Sequence, residues 1–232
     1  MFRALARNIV RAFDIVLFPP HCLLSGMPLH DTATLLPGID DVAWFNLPPA
    51  PSSDALLSML ARHHDRDTLL ISDVHALVAI DQEGAALALV HALKYGGRST
   101  LAAACGRVLG EVMSDRGVTC DAVVPVPIHR ARYRERGYNQ AERIASGVAT
   151  AMDIPLRDVL RRTRYTGTQT SLNAITRRSN VAGSIVATQR LSGQRILLVD
   201  DVLTTGSTLQ ACAIPLIEAG ARHVTVATIA VA

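Results

Sequence analysis

Two adjacent carboxylates, Asp200 and Asp201, stand between an apolar run, Ile196-Leu-Leu-Val199, and a cluster of small residues, Thr204, Thr205, Gly206, Ser207 and Thr208. The apolar run reads as a strand with both acids at its carboxyl end, and a helix begins near Ser207. Backbone N–H groups converge at such a helix start. Gly206 permits close approach and the hydroxyls add hydrogen bonds, so the turn suits a phosphate monoester. The helix dipole contributes about 0.3–1 kcal/mol for a negative group. Two aspartates beside that phosphate would repel it unless they served something else. A sugar ring with a 5′-phosphate and free 2′- and 3′-hydroxyls resolves the conflict: the carboxylates accept from the hydroxyls, and the phosphate sits one loop away. A hydroxyl cap after an ordinary strand is the plainer alternative. It does not account for two acids, four hydroxyl residues and a glycine within nine positions. No lysine-bearing P-loop and no G-x-G-x-x-G turn is present.

The elements that must position these residues are legible from alternation. Residues 122–126 and 195–199 read as buried strands and 224–231 as a third; 140–152 and 207–219 read as helices, with Gly220 where a C-cap glycine belongs. Apolar strands alternating with helices predict an α/β fold with a parallel sheet core flanked by helices. Ligands in such folds bind at the carboxyl ends of the strands. Residues 54–114 read as mostly helical, with 85–94 and 100–113 separated by Gly96-Gly97. Residues 2–17 have the stripe of an amphipathic helix, Phe2, Leu5, Ile9, Phe13 and Val16, with Arg3, Arg7 and Arg11 opposite. Residues 19–53 are loop-rich with seven prolines, and 47–53 reads as a linker. Two domains are expected, 1–53 and 54–232.

A hydrophobic fraction of 49% and a charged fraction of 19% exclude wholesale disorder. The apolar runs fall short of the roughly 18–20 residues a membrane span needs. Aromatics are only 4%, so base-stacking platforms are poorly supplied. The formal charge of +3 is unevenly spread: residues 129–195 hold thirteen arginines against four acids, a local +9. Such a stretch should face something anionic. Lys94 is the only lysine. Cys22, Cys105, Cys120 and Cys212 show no metal or redox spacing, and the last three read as buried free thiols. With no secretory signal visible, the expected location is cytoplasmic.

The run from Ile196 to Thr208 resembles the phosphoribosyl-pyrophosphate (PRPP) motif of type I phosphoribosyltransferases. The segments His91-Ala-Leu-Lys-Tyr-Gly-Gly97, Val124-Pro-Val-Pro-Ile-His-Arg130 and Arg136-Gly-Tyr-Asn-Gln140, with Gln169, Arg177 and Asn180, resemble the ComF/GntX family. That family is linked in competent bacteria to DNA uptake or utilisation. The resemblance implies the type I phosphoribosyltransferase fold with a mostly helical N-terminal hood, near residues 54–100, that selects the acceptor. It implies displacement of pyrophosphate from ribose C1 by an unidentified nitrogenous acceptor. Asp200 and Asp201 would hold the ribose, although one carboxylate of such a pair often points elsewhere, here Asp201. Thr204 to Thr208 would hold the 5′-phosphate. Pro127, Ile128, His129, Arg130 and Lys94 would face pyrophosphate. Gln169, Arg177 and Asn180 would lie in a flexible loop, 161–180, that closes over PRPP and excludes water. Mg²⁺ would arrive with PRPP rather than in a dedicated protein site, with Asp200 and Asp201 its only prospective protein contacts. His91 and His129 read as neutral hydrogen-bonding residues.

The family usually opens with a Cys-rich zinc module. Here Cys22 is kept, Ser25 stands where the next cysteine should be, and no second knuckle exists. Cys22, His21 and His30 supply at most three ligands, so zinc is not expected. A non-catalytic PRPP-binding protein, or a DNA-uptake accessory using the arginine-rich stretch, remains the alternative. Nucleic acid and a second copy of the chain stay open as partners.

Overall fold

The computed structural model describes residues 20–29, 34–65, 68–80, 84–94, 98–163 and 184–232. The expected helix at 2–17, His30, Gly96-Gly97 and the loop residues Gln169, Arg177 and Asn180 lie outside them. In chain order the elements are α1 (Asp41–Phe45), α2 (Ser53–His63), β1 (Asp73–Ala79), α3 (Ala85–Lys94), α4 (Ser99–Asp115), β2 (Ala122–Pro125), α5 (Arg130–Arg136), α6 (Gln140–Met152), β3 (Leu160–Arg162), β4 (Ile185–Ala187), β5 (Arg195–Leu203), α7 (Ser207–Glu218) and β6 (His223–Val231).

β1, β6, β5 and β2 form a four-stranded sheet in that order, with every pairing parallel. β3 and β4 make a separate antiparallel pair. Successive strand residues feed opposite faces, as the two-residue period requires. Leu197 and Val199 join a cluster with α3, α4 and α6, whereas Ile196 and Leu198 join one with α2 and α7. The sheet is therefore covered on both sides, which explains why its central strands read as continuous apolar runs. This is the expected parallel core flanked by helices.

Helices α4 and α6 meet through glycine. A Cβ on Gly147 would collide with the Ala103 carbonyl oxygen, and one on Gly106 with that of Ile144. Backbone thus touches backbone across this pair, which pins α6 and the residues leading into it.

Two local expectations are corrected. Inside the mostly helical span 54–114, residues 73–79 form β1, an outer strand of the main sheet. Its polar positions, Asp73 and His75, broke the apolar pattern that identified the other strands. The supposed linker also pairs: Ala50 N donates to Leu77 O (3.1 Å) and Ala79 N to Pro48 O (2.8 Å). A proline-rich strip is suited to this outer position because its missing N–H groups offer few donors to a further strand. Residues 22–47 supply Cys22, Leu29, Leu36, Ile39, Trp44 and Leu47 to the same cluster as α3 and α4.

Candidate functional site

Register brings two loops to one place. Pro125 pairs with Val199, and Val126 N donates to Val199 O (2.9 Å). The residues that follow, 127–130 on one side and 200–208 on the other, therefore leave the sheet side by side at its carboxyl edge.

β5 continues through both aspartates to Leu203, so the acids sit within the strand rather than beyond its end. Asp201 is buried, 5% exposed. Lys94 Nζ, from the last turn of α3, lies 3.4 Å from Asp201 Oδ2, and Gln140 Nε2, from the first turn of α6, donates to the same oxygen at 3.4 Å. Asp200 Oδ1 accepts from Asp201 N at 2.9 Å. Burial, and after it the Asp201 carboxylate alongside, push Asp200 well above the ordinary carboxylate range; Lys94 offsets this only in part. The folded state thus disfavours the charged form of Asp200 until a ligand brings donors or positive charge beside it. That is the electrostatic condition for receiving sugar hydroxyl donors and a cation-bearing ligand. Of the two acids, Asp201 is the one held by protein side chains, those of Lys94 and Gln140.

The loop after β5 ends at Gly206, the N-cap of α7, in the left-handed conformation (φ 72°). A Cβ there would collide with Leu60 of α2, so only glycine fits on both counts. Among the described residues no side chain caps the first turn of α7, whose N–H groups suit a ligand's oxygens. Thr205 Oγ1 and Ser207 Oγ are 3.0 Å apart. Thr204 and Thr205 are exposed, and Ser207 and Thr208 partly so.

On the neighbouring loop Pro127 is buried and Ile128 partly buried. His129 is the N-cap of α5, and its Nδ1 accepts from Ala131 N at 3.1 Å. That acceptor role requires an unprotonated Nδ1, in line with the neutral reading. Arg130 is exposed. Arg130, Arg132, Arg134 and Arg136 ride a short helix, α5, which places Arg130, Tyr133 and Arg134 on one face.

Three consecutive residues tie these parts together. Tyr138 OH donates to Leu93 O (2.6 Å), next to Lys94. Asn139 Nδ2 donates to Val126 O (3.1 Å), where the second loop begins, while its Oδ1 caps α6 by accepting from Ala141 N. Gln140 reaches Asp201, and its Oε1 is buried without a hydrogen-bond partner among the described residues. Sequence reasoning had used this stretch only as a resemblance. Its signal was there: three polar residues in a row at the head of an apolar helix, all of them buried.

Arg162 was also missed as a site residue. The flexible loop was expected from 161, but Arg161 and Arg162 belong to β3. Burial, then Arg132, lower the Arg162 pKa, while Cys212 and Asp200 act in the opposite direction. Arg162 therefore lies within electrostatic reach of Asp200. Of the residues weighed against a zinc site, Cys22 is buried and its Sγ accepts from Asp40 N (3.3 Å). His21 is exposed and forms a bridge with Pro28. Among the described residues no group of three or more His, Cys, Asp or Glu converges. No helix among them is long and apolar enough to cross a membrane.

Residues 137–231 match a phosphoribosyl transferase domain. Over 93 residues the chain is 40% identical to competence protein F of Haemophilus influenzae, covering 38% of this chain and 41% of that one. Over 144 residues it is 34% identical to DNA utilization protein YhgH of Escherichia coli K12, covering 60% and 63%. The chain thus spans less than two thirds of the curated relatives it matches. Among solved structures it is similar to glutamine PRPP amidotransferase from B. subtilis complexed with ADP and GMP, with 25% identity and a TM-score of 0.36, covering 53% of this chain and 25% of that one.

Proposed function

We propose that this chain, which belongs to the ComF family and has the type I phosphoribosyltransferase fold, binds PRPP at the carboxyl edge of β5 and transfers its phosphoribosyl group to a nitrogenous acceptor. The observation that carries the reading is the pairing of two adjacent aspartates at the carboxyl edge of β5 with a glycine-entered helix start six residues after the first of them. A ribose 5-phosphate satisfies both at once. Its hydroxyls donate to the acids, and its phosphate accepts from the first turn of α7.

In the reaction the C1–O bond to pyrophosphate breaks with its electron pair leaving on oxygen, and a C1–N bond forms to the acceptor. The acceptor nitrogen then releases its proton to solvent. Asp200 balances the positive charge that develops on the ring. Lys94, oriented by Asp201, and the N–H groups around Ile128 and His129 meet the departing pyrophosphate. Arg130 and Arg132, on the helix that follows this loop, would add positive charge. A carboxylate pair is hard-oxygen donor chemistry of the kind a hydrated Mg²⁺ accepts. Bound with PRPP, Mg²⁺ would supply charge neutralisation on the pyrophosphate oxygens. Zinc has no part in the reading.

Calorimetric titration of PRPP with Mg²⁺ tests the binding step. Saturable binding is expected, lost when Asp200 and Asp201 are both changed to Asn. An equally tight double variant removes the reading. Pyrophosphate release on adding nitrogenous bases then separates transfer from binding alone.

A second reading has its own observation. Arg130, Tyr133 and Arg134 line a surface cleft of about 380 Å³ in the most basic part of the chain, and Tyr133 is 49% exposed. An aromatic between two arginines suits a nucleic-acid strand. The names of the relatives, competence protein F and DNA utilization protein, favour that setting. Binding of single-stranded DNA that weakens steeply with salt supports it, and salt-independent or absent binding rejects it.

A further inference from the structure

The loop that receives the 5′-phosphate is braced from outside the motif. His64, at the C-cap of α2, places its Nε2 2.9 Å from the carbonyl oxygen of Thr205. A carbonyl only accepts, so Nε2 carries the proton and donates. The peptide that bears this carbonyl is the one that ends at the Gly206 nitrogen. In a planar trans peptide the C=O and the N–H point to opposite sides. Drawing the Thr205 carbonyl toward α2 therefore turns the Gly206 N–H away from α2, toward the mouth of the loop. The same helix fixes the next atom, since Leu60 occupies the space where a Cβ of residue 206 would stand. Helix α2 lies some 140 residues away in sequence, and nothing in the phosphate motif announces it.

We propose that His64 is a positioning residue for the 5′-phosphate: its Nε2–H holds the Thr205–Gly206 peptide in the orientation that presents the Gly206 N–H to the ligand. His64 itself does not touch the phosphate. This rests on the ribose-phosphate reading and adds to it a second, remote determinant of affinity. It also predicts selectivity among fragments. A ligand that uses the loop at 204–208 feels His64, and one that uses only the loop at 127–130 does not.

The test uses the full chain and two variants that separate the hydrogen bond from packing. His64→Gln keeps an N–H donor and loses the ring; His64→Phe keeps the ring and loses the donor. Ribose 5-phosphate and, separately, inorganic pyrophosphate with Mg²⁺ are titrated calorimetrically into each, with thermal melts to verify folding. The expected result is a loss of about tenfold in ribose 5-phosphate affinity for His64→Phe, the size of one hydrogen bond. His64→Gln should stay within about threefold of the parent, and pyrophosphate affinity should be the same in all three proteins. Equal ribose 5-phosphate affinity in the parent and His64→Phe overturns the proposal. So does a parallel loss of both ligands in a variant that melts normally. A parent protein that binds pyrophosphate but not ribose 5-phosphate overturns the underlying phosphate reading instead.

Discussion

At the amino edge of the sheet Asp73 and Asp121 are surrounded by donors, whereas at the carboxyl edge Asp200 is not. Asp73 accepts from Ser53 Oγ and from Val74 N, and its Oδ2 lies 2.7 Å from His75 Nε2. Burial pushes its carboxyl up, but Ser53 and then His75 outweigh that, and the net position is below the ordinary value. Asp121 is gripped at both oxygens by Arg195, through the side chain at 2.7 Å and the backbone N–H at 2.7 Å, which holds it at about 2. Asp200 moves the other way. Acids that are satisfied within the chain hold strands in place; an acid left in excess waits for something from outside. The same residue type thus serves structure at one edge and ligand at the other.

Exchanging charge for amide at the two edges should produce opposite results. Asp200→Asn removes a carboxyl whose ionisation the folded state disfavours, so at a pH that ionises it the ligand-free variant should melt higher than the parent, by about 2–8 °C if the relief is about 1–2 kcal/mol. PRPP affinity should nonetheless fall by about 100-fold or more, the loss of charge-assisted bonds worth about 1.5–3 kcal/mol each. Asp73→Asn should do the reverse, melting lower while PRPP affinity stays within about twofold, because it leaves His75 without its carboxylate. Melting curves and titrations on the two variants decide this. If both variants lose stability and both retain ligand, the contrast between the edges fails.

Between these extremes stands Asp201, an acid at the ligand edge that is nevertheless held by the chain. Gln140→Leu keeps the volume and removes the amide, freeing Asp201 from one of its two partners. PRPP affinity should fall by about tenfold, with the loss carried by the pyrophosphate end. Pyrophosphate titration alone should show the same factor, and ribose 5-phosphate close to none. Conservative Gln140→Asn shortens the reach and should fall in between. An equal loss for both fragments would mean that Gln140 acts only through general packing.

The strands of the second half were legible as continuous apolar runs, and its helices as longer segments with a buried face bounded by turn residues. The PRPP-type run was legible because chemistry and local structure coincide within a few residues. β1 was not, since its polar pair, the half-buried Asp73 and the buried His75, hides the strand period and takes its partners from Ser53 and Arg116, distant in sequence. His64, Gln140 and Arg162 were invisible as site residues for the same reason. Each acquires its role from a partner at least 38 positions away, and a single sequence does not show which residues meet. The bounds of β5 were misjudged at Asp200 because charged residues seldom continue a buried strand. Here they do so because Lys94 and Gln140 come in from two helices to meet Asp201.

The smallest effect belongs to the most exposed pair. Asp121 has a folded-state pKa of about 2, below its unfolded value. Its stabilisation is therefore fully present above the unfolded value of about 3.9 and is lost as pH falls toward 2. Asp200 has the opposite sign: its raised value favours the folded state in acid, and that advantage is lost as pH climbs from the unfolded value through the folded one. Because both members of the Asp121–Arg195 pair are well exposed to solvent, screening keeps the pair's contribution small. Asp121→Asn should accordingly lower the melting temperature by only about 2–4 °C at pH 7, and the difference from the parent should vanish near pH 2. Added salt should shrink it at pH 7 without touching the Asp200→Asn increment, which arises from burial and a neighbouring charge at short range. A salt-insensitive Asp121 variant would show that its work lies in the hydrogen bond to the Arg195 backbone N–H, with the ion pair contributing nothing.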